Sequence, residues 1–212
     1  MTRTEVILIR HGETVWNLER RYQGQLDSPL TERGVQQAEA IADRLRDRPF
    51  DHLYASDLGR TWQTAAPTTA ATGRAAIPEP RLRERHFGIF HGLDRTTIRQ
   101  RYPEAHRKYT SDDPDYAVPE GESLRQLHQR TVSCLEELAE RHASQRLVLI
   151  SHGGALAALL RHVIGIPIAA PRPFKLFNAA FNLIVYEEGS WQIETLGDIC
   201  HLRHLESDDD IY

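Results

Sequence analysis

Two short apolar runs, Val6-Ile7-Leu8-Ile9 and Leu147-Val148-Leu149-Ile150, each end in a polar residue followed by His-Gly. Four consecutive apolar residues leave no polar face for water, so each run reads as a strand covered on both sides. Arg10-His11-Gly12 and Ser151-His152-Gly153 then mark the carboxyl ends of two buried strands. A weaker strand signal covers residues 51–55 and stops at Ser56. Helical patterns lie between the strands. Thr31 is an N-cap ahead of Val35, Ala38, Ile41, Ala42 and Leu45, and Ser123 with Gln126 forms a capping box before Leu124, Leu127, Leu135 and Leu138. Residues 153–164 read as an almost wholly buried helix.

Strands alternating with helices predict an α/β fold, a three-layer sandwich with a central, mostly parallel sheet flanked by helices. Ligands bind beyond the carboxyl ends of such strands, which is where both His-Gly pairs fall. Residues 182–196, with Glu187-Glu188-Gly189-Ser190 between apolar runs, predict a closing hairpin. Residues 110–121, rich in Asp, Pro and Gly, predict a surface loop near the pocket, and residues 206–210 a solvated acidic end. No linker or repeat divides the 212 residues, so a single domain over 1–212 is expected.

Composition narrows the function. No stretch approaches the roughly 18 consecutive apolar residues of a membrane span. With 26 Lys plus Arg against 30 Asp plus Glu, the chain lacks the basic excess that nucleic acid demands. Lys108 and Lys175 are the only lysines, so nearly all the cations are guanidinium forks suited to phosphate. Cys134 and Cys200 cannot by themselves make a disulfide framework or a four-ligand zinc site. The first apolar run is too short for a signal-peptide core, and a cytoplasmic location is expected.

Arg10-His11-Gly12-Glu13-Thr14 sets an imidazole at a strand end beside a guanidinium, with a glycine that would let backbone amides approach a ligand. This is an anion site containing a nucleophile. Asn17 follows six residues after His11, within reach of the same pocket. His86 and His91 stand among acidic residues, but a spacing of five gives them no shared helical face, which argues against a metal site. Trp16, Tyr22 and Phe87 are aromatic candidates for the pocket wall.

From Val6 to Leu202 the sequence resembles the histidine phosphatase superfamily, the phosphoglycerate mutase-like proteins. The resemblance is carried by Leu8-Ile9-Arg10-His11-Gly12-Glu13-Thr14, Asn17, Leu30-Thr31-Glu32-Arg33-Gly34, Ser56-Asp57-Leu58-Gly59-Arg60-Thr61, Leu82-Arg83-Glu84 and Ser151-His152-Gly153-Gly154. It implies that His11 attacks phosphorus and becomes a phosphohistidine. It further implies that Arg10 and Arg60 clamp the phosphate, and that Asn17 and Gly153 complete the phosphate-binding set. His152 would donate to the transferring group and, if charged, offset its negative charge; Glu84 would be the proton donor. Arg21, Gln23 and Phe87 are the expected substrate contacts, with no metal and no cofactor.

The superfamily holds phosphatases, cofactor-dependent phosphoglycerate mutases and members without activity. Arg21-Tyr22-Gln23-Gly24-Gln25 resembles the small phosphatases, since mutases usually carry Thr where Gln23 stands. Glu84-Arg85-His86-Phe87-Gly88 followed by Gly92-Leu93-Asp94-Arg95 is closer to the mutases, with Arg95 in place of their Lys. The paired arginines that hold a distal carboxylate in mutases have only Arg107-Lys108 as a partial counterpart. The expectation is a phosphomonoester phosphatase acting on a small phosphorylated metabolite, as a monomer or homodimer. A mutase is the alternative, and a phospho-ligand binding module without activity is the reading from another class.

Overall fold

The two apolar runs lie side by side. In the computed structural model, which describes residues 2–111 and 113–205, strand β1 (Arg3–Arg10) pairs in parallel with the strand Arg146–Ser151. The register runs from Val6 opposite Leu147 to Arg10 opposite Ser151, so both chains leave the sheet at the same level with His11 and His152 next.

In chain order, β1 is followed by α1 (Val15–Leu18), α2 (Glu32–Arg46), β2 (His52–Ala55), α3 (Gly59–Thr72) and β3 (Ala76–Pro78). Then come α4 (Arg95–Arg101), α5 (Pro103–Tyr109), α6 (Leu124–Arg141), β4 (Arg146–Ser151), α7 (Gly153–Val163), β5 (Phe181–Glu187) and β6 (Ser190–Asp198). Among the described residues the strand order is β3-β2-β4-β1-β5-β6, with β1 to β4 parallel and β5 and β6 antiparallel. The predicted hairpin is β5 and β6, and its turn places Glu188 and Gly189 at φ 53° and 79°, left-handed values that Gly189 adopts without strain.

Side chains alternate across a strand, and the burial shows where each face goes. Val6, Leu8, Leu147 and Leu149 join Leu135 and Leu138 of α6 and Leu156 and Leu159 of α7 in one core. Ile7, Ile9, Val148 and Ile150 join Ile41 and Leu45 of α2 and Ala65 of α3 in the other. The sheet is therefore sandwiched between two helical layers, as the continuous apolar runs require. No helix among the described residues is long and apolar enough to cross a membrane.

A third, smaller cluster gathers Phe90, Ile98 and Val118 with Tyr22, Phe87 and Tyr109. Residues 113–121 fold behind this wall, where Pro119 O accepts from Ile89 N–H and Val118 is buried. They do not line the site's cleft themselves but pack on residues 85–89 beside it. The acidic stretch 206–210 lies outside the described residues.

Helix α2 meets the loop after β1 backbone to backbone. A Cβ on Gly34 would collide with the carbonyl of Glu13, and one on Gly12 with the carbonyl of Gly34. Thr31 ties the same junction by capping Gly34 N–H and donating to Glu13. Gly34→Ala is expected to cost about 2 kcal/mol through this overlap, lowering the melting temperature by roughly 5 °C. Thermal denaturation followed by circular dichroism tests it, and an unchanged midpoint would contradict so close a contact.

Candidate functional site

His11 stands at the end of β1, almost fully buried, with its backbone N–H donated to Ser151 O of β4. Its Nδ1 lies 2.7 Å from Gly12 O. A carbonyl can only accept, so the proton sits on Nδ1 and the lone pair on Nε2. Burial, followed by the charges of Arg60 and Arg10, holds the imidazole well below its usual pKa of 6.5. The ring is neutral at pH 7, in the tautomer a nucleophile needs.

Two guanidiniums flank it, on one cleft of about 830 Å³ that also takes in Asn17, Glu84 and Phe87. Arg10 donates from Nη1 to Leu176 O at 2.8 Å, while its buried Nε has no partner among the described residues. An unpaired buried donor on a cation is costly, and an anion's oxygen supplies what is missing. Arg60, on the first turn of α3, donates Nη2 to Gly24 O, Nη1 to Leu26 O and Asp27 Oδ1, and Nε to His152 Nδ1. One Nη2 hydrogen is left over for a ligand. Asp27 also accepts from the N–H groups of Gly59 and Arg60, so a single carboxylate caps α3 and aims the guanidinium.

His152 packs against His11 with ring centroids 5.2 Å apart. Its Nδ1 accepts from Arg60, and its Nε2 donates to Ser56 Oγ at 2.8 Å. Burial, then Arg60 and His11, push its pKa well below 6.5. Both nitrogens of His152 are engaged, and in this arrangement it braces Arg60. Glu84 reaches the same cleft from an irregular segment. Its Oε2 accepts from Gly154 N–H at 2.8 Å, in the first turn of α7, and its Oε1 from Arg85 N–H at 2.8 Å. A Cβ on Gly154 would meet the Glu84 carboxylate, so a larger residue there would have to displace that side chain.

The expectation that backbone amides near Gly12 reach a ligand is not met. The N–H groups of residues 11 to 14 are donated to Ser151 O, Thr64 Oγ1, Gln37 Oε1 and Asn17 Oδ1 respectively. The anion site is built from side chains, and Gly12 is needed for packing. Asn17 uses its oxygen to complete the capping box of α1, leaving its amide for the cleft. Gly153 begins α7, one residue from the N–H that holds Glu84. Of the expected substrate contacts, Phe87 forms part of the aromatic wall, and Gln23 is buried with Nε2 on Thr14 Oγ1. Arg21 lines the cleft but is bound to Glu19 and to Gly92 O.

Residues 6–199 match the histidine phosphatase superfamily (branch 1). The chain belongs to that family. A relative in Yersinia pestis (strain Pestoides F), called "Probable phosphoglycerate mutase GpmB", is 38% identical over 93% of this chain and 94% of its own. The structure of Bacillus stearothermophilus YhfR superposes with a TM-score of 0.87 at 31% identity, covering 94% of this chain and 99% of that one. A mycobacterial glucosyl-3-phosphoglycerate phosphatase, solved with VO3, gives a TM-score of 0.81 at 30% identity, covering 92% and 98%.

Within this histidine phosphatase, several supporting residues escaped the sequence reading. Ser56 was visible as a strand end and as part of the family motif but was given no role, and Asp27 and Thr64 sit in segments with no distinguishing pattern. His86 and His91 do meet, with centroids 4.3 Å apart, because residues 83–87 are irregular and helical spacing does not apply. His91 Nε2 accepts from Phe87 N–H, and burial lowers its pKa to about 4. It is a backbone support, and no group of three or more His, Cys, Asp or Glu among the described residues could hold a metal ion.

The lowered pKa of His11 fixes the sign of the acid response. A depressed folded-state value means His11 stays unprotonated as pH falls through 6.5. With His11 as the attacking group, the acid limb of kcat/KM, corrected for ionisation of the substrate, is therefore expected well below 6.5. A limb at 6.5 that moves with substitutions at His11's neighbours would contradict the buried, neutral imidazole.

Proposed function

We propose that this protein hydrolyses phosphomonoesters through a phosphohistidine at His11. The carrying observation is the imidazole tautomer: Nδ1–H is spent on Gly12 O, which leaves the Nε2 lone pair free in the cleft that Arg10 and Arg60 also line. In the first step Nε2 attacks phosphorus, the P–O bond to the leaving group breaks, and Glu84 gives that oxygen a proton. In the second, the Glu84 carboxylate takes a proton from water, whose oxygen displaces Nε2 and yields inorganic phosphate. The two guanidiniums hold the equatorial oxygens and supply the positive charge that a metal supplies elsewhere. His152 keeps Arg60 in place, and Asn17 offers an amide.

The relative named as a mutase at 38% identity makes phosphoglycerate isomerisation the second reading. A mutase must grip the glycerate carboxylate while its phosphohistidine waits. Arg85, the first basic residue that could serve, is buried and donates to Glu122 O and Tyr116 O. Arg107 and Lys108 do not line the cleft; besides the two clamp arginines it is lined by Arg20, Arg95 and Arg21, the last already bound to Glu19 and Gly92 O. A cleft of this size and so incomplete a distal grip favour attack by water on the phosphoenzyme.

The test supplies 3-phosphoglycerate with and without 2,3-bisphosphoglycerate and follows free phosphate and 2-phosphoglycerate together. Free phosphate is expected to predominate, with EDTA leaving turnover intact. An acid-labile, base-stable phosphoenzyme should be trapped in the native protein and vanish in His11→Ala, with turnover reduced by several orders of magnitude. Rapid 2-phosphoglycerate formation stimulated by the bisphosphate would establish the mutase, and label persisting in His11→Ala would remove His11 as nucleophile.

A further inference from the structure

Glu84 lies in residues 83–87, a stretch in neither helix nor strand. A partly buried irregular segment must find partners for its carbonyls outside regular secondary structure. Two of its carbonyls and one from the turn just before it converge on one side chain. Arg130, near the middle of α6, donates Nη1 to Arg81 O and Arg83 O, both at 2.8 Å, and Nη2 to Glu84 O at 2.9 Å. Its Nε and Nη2 also form a two-pronged pair with Glu122, at 2.6 and 2.9 Å. All five N–H bonds of the guanidinium are thereby used.

Glu122 is the other half of the brace. It stands just before the α6 capping box, accepts from His86 N–H as well as from Arg130, and donates its own N–H to His86 O. The acid-bearing segment is thus held at residues 81, 83, 84 and 86 by one ion pair from a neighbouring helix. Both side chains are mostly buried, 22% and 14% exposed, so the pair is screened less than a surface bridge. Neither residue lines the cleft.

We propose that Arg130, locked by Glu122, is a positioning residue for proton donation by Glu84. This rests on the reading of Glu84 as the proton donor. Arg130 fixes the backbone from which the carboxyl projects, while Gly154 N–H fixes its far end. Proton transfer to a leaving oxygen tolerates little displacement of the donor, whereas attack by His11 is aimed by β1 and the clamp on α3 and takes no proton from this segment. The requirement is for a fork of five donors. Lysine keeps the charge but has three donors in no fixed plane.

The experiment compares kcat/KM for an alkyl phosphate, β-glycerophosphate, with that for p-nitrophenyl phosphate, whose leaving group needs little protonation. Glu84→Gln, Arg130→Lys and Glu122→Gln are measured in parallel, with circular dichroism and melting temperature for each. Glu84→Gln should lower the alkyl-to-aryl ratio about a hundredfold. Arg130→Lys should lower it about tenfold, and Glu122→Gln in the same direction by less. A purely structural role would lower both substrates together. If Glu84→Gln lowers the ratio while folded Arg130→Lys leaves it unchanged, the positioning role is overturned and Glu84 stands. If Glu84→Gln leaves it unchanged, the proton-donor reading falls and the proposal with it. Should Arg130→Lys not fold, Glu122→Gln decides on the same ratio: a fall supports the brace and an unchanged ratio overturns it.

Discussion

The parallel pairing of β1 with β4 is the constraint on which the site depends. Arg10 stands opposite Ser151, and His11 N–H continues the ladder to Ser151 O, so the two histidines are brought together by strand register. A slip of one residue would exchange the two cores and turn the site residues to the opposite face. That register is secured by apolar residues on both faces, Val6 and Leu8 toward α6 and α7, Ile7 and Ile9 toward α2 and α3. The chemistry thus inherits its precision from hydrophobic packing several residues away.

Around that core the site is assembled by polar contacts with little redundancy. Arg60 is held by Gly24, Leu26, Asp27 and His152, and His152 in turn by Ser56. Satisfied networks of this kind keep a cation rigid in a low-dielectric setting, where it acts most strongly on a phosphoryl group. What they leave open is as informative. The unpaired Nε of Arg10 and the remaining hydrogen of Arg60 are the groups that the proposed phosphate substrate would complete.

The strands β1 and β4 were readable because complete burial leaves a continuous apolar pattern, and the caps of α2 and α6 because Thr31 and Ser123 bond locally. Helix α3 was not. It contains Pro67 and a run of alanine and threonine with little amphipathic contrast, and its N-terminus is capped by Asp27, a residue more than thirty positions away. The roles of Arg60 and Glu84 came through resemblance to the family, since nothing in the local pattern separates Glu84 from the other charges of residues 81–85. Arg130 was invisible for the same reason: one arginine in a helix that also carries Arg125 and Arg141. Its importance comes from three carbonyls brought to it by tertiary structure.

The segment between α7 and β5 also contributes to the setting of His11. Leu176 O receives Arg10, and Asn178 Nδ2 donates to His11 O, contacts spanning 166 and 167 residues. Local opening of this one segment would therefore release the guanidinium of Arg10 and the backbone of His11 together, while leaving the pairing of β1 with β4 intact.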